Sequence, residues 1–187
     1  MIKPFHITLL ALALLAGSSG YVTHQYLSRT ALATPEPKAT VVAAGAATMP
    51  LEWSFTDLHG RRIALERWRG RLLVVNFWAT WCPPCLREIP AFIDLQARYG
   101  DRGLQFVGIA LDQSEAVAPF VTDQAMNYPV LIGEDDVVRF MQSLGNDIGG
   151  LPYTAVIGAD GNVLLTHQGE WPAEAAENAL ITFLSAD

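Results

Sequence analysis

From Trp53 the chain alternates apolar and polar residues to Leu58, turns at His59-Gly60 and resumes at Arg62-Ile63-Ala64-Leu65, the pattern of a β-hairpin. Residues 72–78, LLVVNFW, form an almost unbroken apolar run, as expected of a strand covered on both faces. From Pro83 to about Tyr99 the apolar positions Leu86, Ile89, Phe92, Ile93 and Leu95 recur near the 3.6-residue helical period, and Gly100 closes the segment. Residues 104–111 predict a second buried strand, and a helix from Ser114 to about Gln124 follows. A short strand is expected at 128–132, a short helix at 137–144, and a hairpin made of 153–157, the turn Asp160-Gly161 and 163–167. A last helix is expected from about Ala173 to Leu184. Strand–helix alternation predicts a parallel sheet with helices on both faces, and the closing hairpin adds antiparallel strands, so the fold class is α/β with a mixed sheet.

Ahead of this pattern lies a different one. Between Pro4 and Ser28 there is no Lys, Arg, Asp or Glu, and Ile7–Ala16 is almost wholly apolar behind Lys3. The charged-then-apolar layout resembles an export signal. Extended to Val22 the run spans roughly 24 Å of helix, slightly short of a bilayer core. Two outcomes are open: cleavage near Ala16–Ser19, or retention as a tilted anchor with Tyr21 and Tyr26 at the interface. The anchor, formed by residues about 5–22, is the expectation. Residues 30–50 are rich in Ala, Thr and Pro, lack aromatics and read as a tether. The expected organisation is therefore an apolar helix or signal segment over 1–28, a flexible linker over 29–50 and one folded domain over 51–187.

Charge narrows the function. Residues 51–187 carry nine Arg, no Lys and eighteen acidic residues within a chain of net charge −7. Nucleic acid is not an expected partner, because phosphate binding needs clustered cations. The chain's 51% hydrophobic content excludes wholesale disorder.

The two cysteines, Cys82 and Cys85, stand where an apolar strand gives way to a helix. At this spacing they can close a disulfide with little backbone movement, and so tight a loop adds little stability. A reactive bond is therefore favoured over a structural one. Cys82 at the helix start is expected to be the attacking sulfur, since the dipole and free amides there favour a thiolate. Cys85, one turn inside, is expected to resolve the mixed disulfide. Pro83 suits a first helical turn. A zinc site would need two more ligands where no other Cys exists, and haem attachment needs His where Leu86 stands, so no metal or further cofactor is expected.

The segment Asn76-Phe-Trp-Ala-Thr-Trp-Cys-Pro-Pro-Cys-Leu-Arg-Glu-Ile-Pro90 resembles the signature of the TlpA/ResA-type thioredoxin-like thiol-disulfide oxidoreductases. The likeness extends over roughly 51–187 and includes Val107–Asp112 and Gly149-Gly-Leu-Pro-Tyr-Thr154. It implies a thioredoxin fold with an N-terminal β-hairpin extension, preceded here by the apolar helix. It implies Cys82 as nucleophile and Cys85 as resolving thiol, with Trp81, Pro83 and Pro84 on the substrate-facing rim. Pro152 matches the family's cis-proline, although an ordinary strand-start proline reads the same in sequence. Were it cis, Leu151 would offer its backbone to an extended substrate segment. Glu88, three residues after Cys85, is expected to carry the proton that Cys85 must lose, the alternatives being a dipole-favoured Glu or an Arg partner. Ordinary thioredoxins have an Asp where this chain has Asn76, and Asn cannot titrate, which puts more weight on Glu88.

The resemblance further implies a bacterial periplasmic location, at the outer face of the inner membrane. It implies protein disulfide clients, with apocytochrome c as one, and a membrane thiol donor of the DsbD/CcdA kind. The expected activity is disulfide reduction by a tethered monomer. A disulfide oxidase or isomerase, and a non-catalytic binding module on the same fold, are the alternatives.

Overall fold

The computed structural model describes residues 39–41 and 53–185. The N-terminal apolar segment, and the anchor expected of it, lie outside the described residues. Among the described residues no helix is long and apolar enough to cross a membrane.

Among the described residues, eight strands form one sheet: β1 (Ala39–Val41), β2 (Ser54–Asp57), β3 (Arg62–Ala64), β4 (Leu72–Trp78), β5 (Leu104–Leu111), β6 (Val130–Gly133), β7 (Tyr153–Ile157) and β8 (Val163–Gln168). Their order is β1-β8-β7-β4-β5-β6-β2-β3. The α-helices among the described residues are α1 (Pro83–Tyr99), α2 (Ser114–Asp123), α3 (Asp135–Ser143) and α4 (Ala173–Leu184). The β4–β5 and β5–β6 pairs are parallel and the rest antiparallel, which is the mixed sheet the pattern predicts. The N-terminal hairpin extends the sheet by pairing β2 with β6.

Every residue of β4 is buried, because both faces of this central strand are covered. On one face Val74 and Trp78 meet α1, α2 and α4; Phe92 stacks on Phe106 at 5.0 Å and Trp78 lies 5.2 Å from Phe120. On the other, Leu73, Val75 and Phe77 meet α3 and the 3-10 turn Leu65–Trp68, with Phe140 the hub of an aromatic cluster that includes Phe55 and Phe77. Burying a side chain of this size contributes about 2–3 kcal/mol of transfer free energy.

Two departures from the sequence pattern have physical causes. Residues 39–41, expected within the flexible linker, form β1 against β8, with Thr40 opposite Thr166. Backbone pairing satisfies an edge that β8 would otherwise leave open, and it needs no aromatic or periodic signal. The strand expected at 128–132 begins at Val130 instead. Tyr128 turns inward to Phe106 at 5.7 Å, and Pro129, which has no ladder donor, gives its carbonyl to the Gly108 amide.

Register sets up the site. Asn76 is opposite Gly108 on β5 and Thr154 on β7, and Thr154 is opposite His167 on β8. Side chains in such a row share one face, here the α1 face. Gly108 leaves that row open: a Cβ there would lie 3.0 Å from Trp78 Nε1 and 3.5 Å from the Tyr128 ring.

Candidate active site: a disulfide at a helix tip above a buried carboxyl

Strand β4 delivers the chain to a short loop, and Cys82 caps α1 with extended backbone at φ −101°. Cys82 and Cys85 form a disulfide with a Cα–Cα distance of 5.3 Å. Cys82 is 4% exposed and Cys85 fully buried, the order expected for an outer and an inner sulfur. Pro83 and Pro84 occupy the first helical positions. Neither has an amide hydrogen, so Cys85 is the only one of the first three helical residues that can donate towards the Cys82 sulfur. The general expectation of several free amides there is thus reduced to one. Trp81 stands 62% exposed beside the disulfide.

The loop ahead of Cys82 is pinned from β5. Asp112 accepts from the Thr80 amide at 3.0 Å, the Thr80 hydroxyl at 2.5 Å and the Gln113 amide at 2.8 Å. Burial opposes its charge, but these bonds outweigh it and hold its carboxyl below the ordinary range. Replacing Asp112 with Ala should release Thr80, seen as amide exchange at Thr80–Cys82 faster by about tenfold or more for a lost bond to a charged acceptor. Unchanged protection would show that the loop is held by other contacts.

Opposite the disulfide is the loop before β7. The Leu151–Pro152 peptide bond is cis. Leu151 packs against the cluster holding both cysteines. Buried Asn146 braces this loop by accepting from the Gly150 amide at 3.1 Å and donating to the Gly150 carbonyl at 2.8 Å. The Pro152 carbonyl accepts from the Gly169 amide at 2.9 Å.

Glu88 lies beneath this arrangement, one helical turn past Cys85 and 2% exposed. Its Oε1 accepts from Asn76 Nδ2 at 2.8 Å and its Oε2 from the Trp171 amide at 2.8 Å. Asn76 Nδ2 also donates to Thr154 Oγ1 at 3.1 Å. Burial pushes the Glu88 carboxyl up to about 8, against the pull of the Trp171 and Asn76 bonds. The neighbouring Arg87 does not neutralise it; Arg87 pairs outward with Glu170 at 2.5 Å. Neither alternative considered for Glu88, a dipole-favoured surface Glu or an Arg partner, describes this position.

A redox-capable disulfide at a helix start, facing a cis-proline loop and backed by a buried carboxyl, can exchange thiols and move a proton. Comparison with known proteins fits this. The Redoxin family matches residues 39–180. The thiol-disulfide oxidoreductase ResA of Bacillus thuringiensis (strain Al Hakam) is 33% identical over 126 residues, 67% of this chain and 70% of the relative. The chain belongs to the redoxin family, among its ResA-type members. A thiol:disulfide interchange protein of Chlorobium tepidum TLS has a solved structure similar to this redoxin, with TM-score 0.65 and 29% identity over 79% of this chain and 97% of that one. A secreted Mycobacterium tuberculosis disulfide oxidoreductase, described as homologous to E. coli DsbE, gives TM-score 0.59 and 25% identity over 75% of this chain and 100% of that one. The redoxin is thus a thiol-disulfide oxidoreductase, acting on protein disulfides.

The structure gathers Cys82, Cys85, Pro83, Pro84, Leu151 and Pro152 around the disulfide and sets Glu88 behind it. Four contributors escaped the sequence reading: Asp112, Asn146, Thr154 and Trp171. Trp171 acts through its backbone amide, which no side-chain pattern reveals. Thr154 was findable from register with Asn76 once the β4–β7 pairing is known.

Proposed function

We propose that this redoxin reduces disulfides of exported proteins. The supporting observation is Glu88. A carboxyl buried one turn below Cys85, with no cation bonded to it among the described residues, repels a nearby thiolate when ionised and supplies no positive charge to stabilise one when protonated. Strong oxidants of this fold work the other way, by stabilising the thiolate of their reduced form. With a single amide donor at the helix tip and a carboxyl behind it, the oxidised pair is favoured and the dithiol becomes a good electron donor.

The Cys82 thiolate attacks one sulfur of the client disulfide; that S–S bond breaks, a mixed disulfide forms and the other client sulfur leaves as a thiolate, which takes a proton. Glu88 in its ionised form, whose population grows as pH approaches about 8, accepts the Cys85 proton. The Cys85 sulfur then attacks Cys82, closing the intramolecular disulfide and releasing the second client sulfur as a thiolate that is protonated in turn. Two electrons pass from the redoxin to the client. Leu151 presents backbone to an extended client segment, and Trp81, Pro83 and Pro84 form the rim. No further cofactor is required.

The proposed setting is the bacterial periplasm, with residues about 5–22 as tether, the stretch after them as linker and a monomeric folded domain. The signal-like N-terminus supports this, as does the secreted character of one structural relative. In an oxidising compartment the dithiol must be recharged, for which a membrane thiol carrier of the DsbD/CcdA kind is proposed. Apocytochrome c, whose haem-binding cysteines must be reduced, is the proposed client. Cys85→Ala in the full-length chain should strand both client and donor on Cys82 as adducts released by dithiothreitol. The wild-type midpoint potential should lie near or below thioredoxin's, about −270 mV; a value near −120 mV, that of a strong oxidant, would reverse the proposed direction.

A further inference from the structure

Four buried side-chain polar atoms among the described residues have no hydrogen-bond partner: Asn76 Oδ1, Trp78 Nε1, Tyr128 Oη and His167 Nδ1. Asn76 and His167 belong to the cross-strand row described above, and Trp78 and Tyr128 close over Gly108 within it. Asn76 is the one of the four that touches Glu88.

The groups bonded to Glu88 are all donors, which favours its ionised form and offers no acceptor to a proton on either oxygen. Asn76 Nδ2 spends both of its hydrogens, on Glu88 Oε1 and on Thr154 Oγ1. The Trp171 amide faces Oε2. Once Glu88 gains a proton, that proton has no acceptor among the bonded groups. The Trp171 amide is fixed to the backbone and cannot turn. The Asn76 side chain can: amide oxygen and nitrogen are nearly the same size, so a half-turn about Cβ–Cγ exchanges them within the same space. Oδ1 then faces both Glu88 and Thr154. It accepts the Glu88 proton with one lone pair and the Thr154 hydroxyl hydrogen with the other. Thr154 serves both arrangements because a hydroxyl accepts or donates. No backbone atom moves.

We infer that Asn76 is a two-position amide rotor that follows the proton on Glu88, with Thr154 as the hydroxyl that accommodates both positions. Asn76 is thus a positioning residue, letting the buried carboxyl gain and lose a proton without opposing two donors. The inference deepens the proposed proton-carrying role of Glu88 and rests on that reading.

Other ionisable groups near Glu88 do not confuse the test. Glu170 is held at the surface by Arg87. Burial, with a contribution from Glu88, raises the Tyr128 phenol. Burial lowers the proton affinity of His167. Its Nε2 lies 3.1 Å from the Glu170 carbonyl, an acceptor, so Nε2 carries the hydrogen. In the oxidised protein Cys82 and Cys85 do not titrate.

The test uses the oxidised full-length chain, isotope-labelled in detergent, between pH 7 and 9.5. Two signals are followed: the Glu88 carboxyl carbon, and the nuclear Overhauser contact between the Asn76 Nδ2 hydrogens and the Thr154 methyl. The contact should be strong when Glu88 is ionised and weaken several-fold with the same midpoint as the carboxyl protonates. A titrating Glu88 with a constant contact would overturn the rotor and leave the proton-carrying role standing. A Glu88 that does not titrate would overturn both, while the measured potential still judges the reductive direction separately. Asn76→Leu supplies a second readout. Losing a fixed donor to the carboxylate should raise the Glu88 midpoint by about one unit or more. Losing a rotor that serves both forms should move it by less than about half of that; the larger shift would count against the rotor.

Discussion

Cys82→Ser should abolish disulfide exchange and leave the fold in place. A serine hydroxyl is not ionised near neutrality and cannot form the mixed disulfide, so turnover of a protein disulfide should fall on the order of 10³-fold or more, to the uncatalysed background. The loss is a chemical one. Opening a loop of sequence separation 3 removes only about 2 kcal/mol of chain-entropy stabilisation. The far-ultraviolet spectrum should therefore stay close to that of the wild-type protein, with the thermal midpoint lowered by only about 5–10 °C. Cys85→Ser should differ in kind, completing one attack and then stalling with client attached. Comparable residual turnover in both variants would mean that the two sulfurs do not have separate tasks.

Glu88→Gln should produce the second large effect, in the pH dependence of stability. The folded protein keeps a proton on Glu88 up to about pH 8, whereas the unfolded chain releases it near 4.5. Between these values the folded state binds more protons, so Glu88 makes stability fall as pH rises, and the fall ends above about 8. Its full size is on the order of 5 kcal/mol. His167 acts with the opposite sign: burial lowers its proton affinity, so its contribution is lost as pH falls below the ordinary imidazole range. Both proteins retain His167, so the wild-type minus Glu88→Gln difference isolates Glu88. Denaturant unfolding from pH 4.5 to 8.5 should show that difference declining steadily; a flat difference would place the titration elsewhere. On the proposed role of Glu88 as acceptor of the Cys85 proton, the exchange rate of Glu88→Gln should also lose the corresponding pH limb.

The parts of this molecule legible in sequence are those written in local repetition. The apolar run of β4, the 3.6-residue spacing of α1 and the Asp-Gly turn between β7 and β8 each encode their element with no knowledge of the remainder. The Cys82–Cys85 pair was equally plain, since spacing and setting carry its chemistry. What escaped depends on encounters across the sheet. Asn76 could be seen as unable to titrate, but its grip on Glu88 and Thr154 required the β4–β7 register. The Trp171 and Gly169 amides carry no residue-type signature. Strand β1 is too short to display a period, and the composition around it reads as a tether. Asp112 lies 32 positions from the Thr80 it restrains, and only the parallel β4–β5 pair brings them together.

The two margins of the sheet, β1 and β3, are each three residues long, and β3 carries Arg62. Unpaired backbone at such a border can recruit a strand from another molecule, and brevity together with charge is how proteins suppress that recruitment. An oxidoreductase that acts on protein disulfides meets extended polypeptide and is exposed to this hazard. The short, charged β3 border should keep it free of aggregates at concentrations where a long apolar border would seed them.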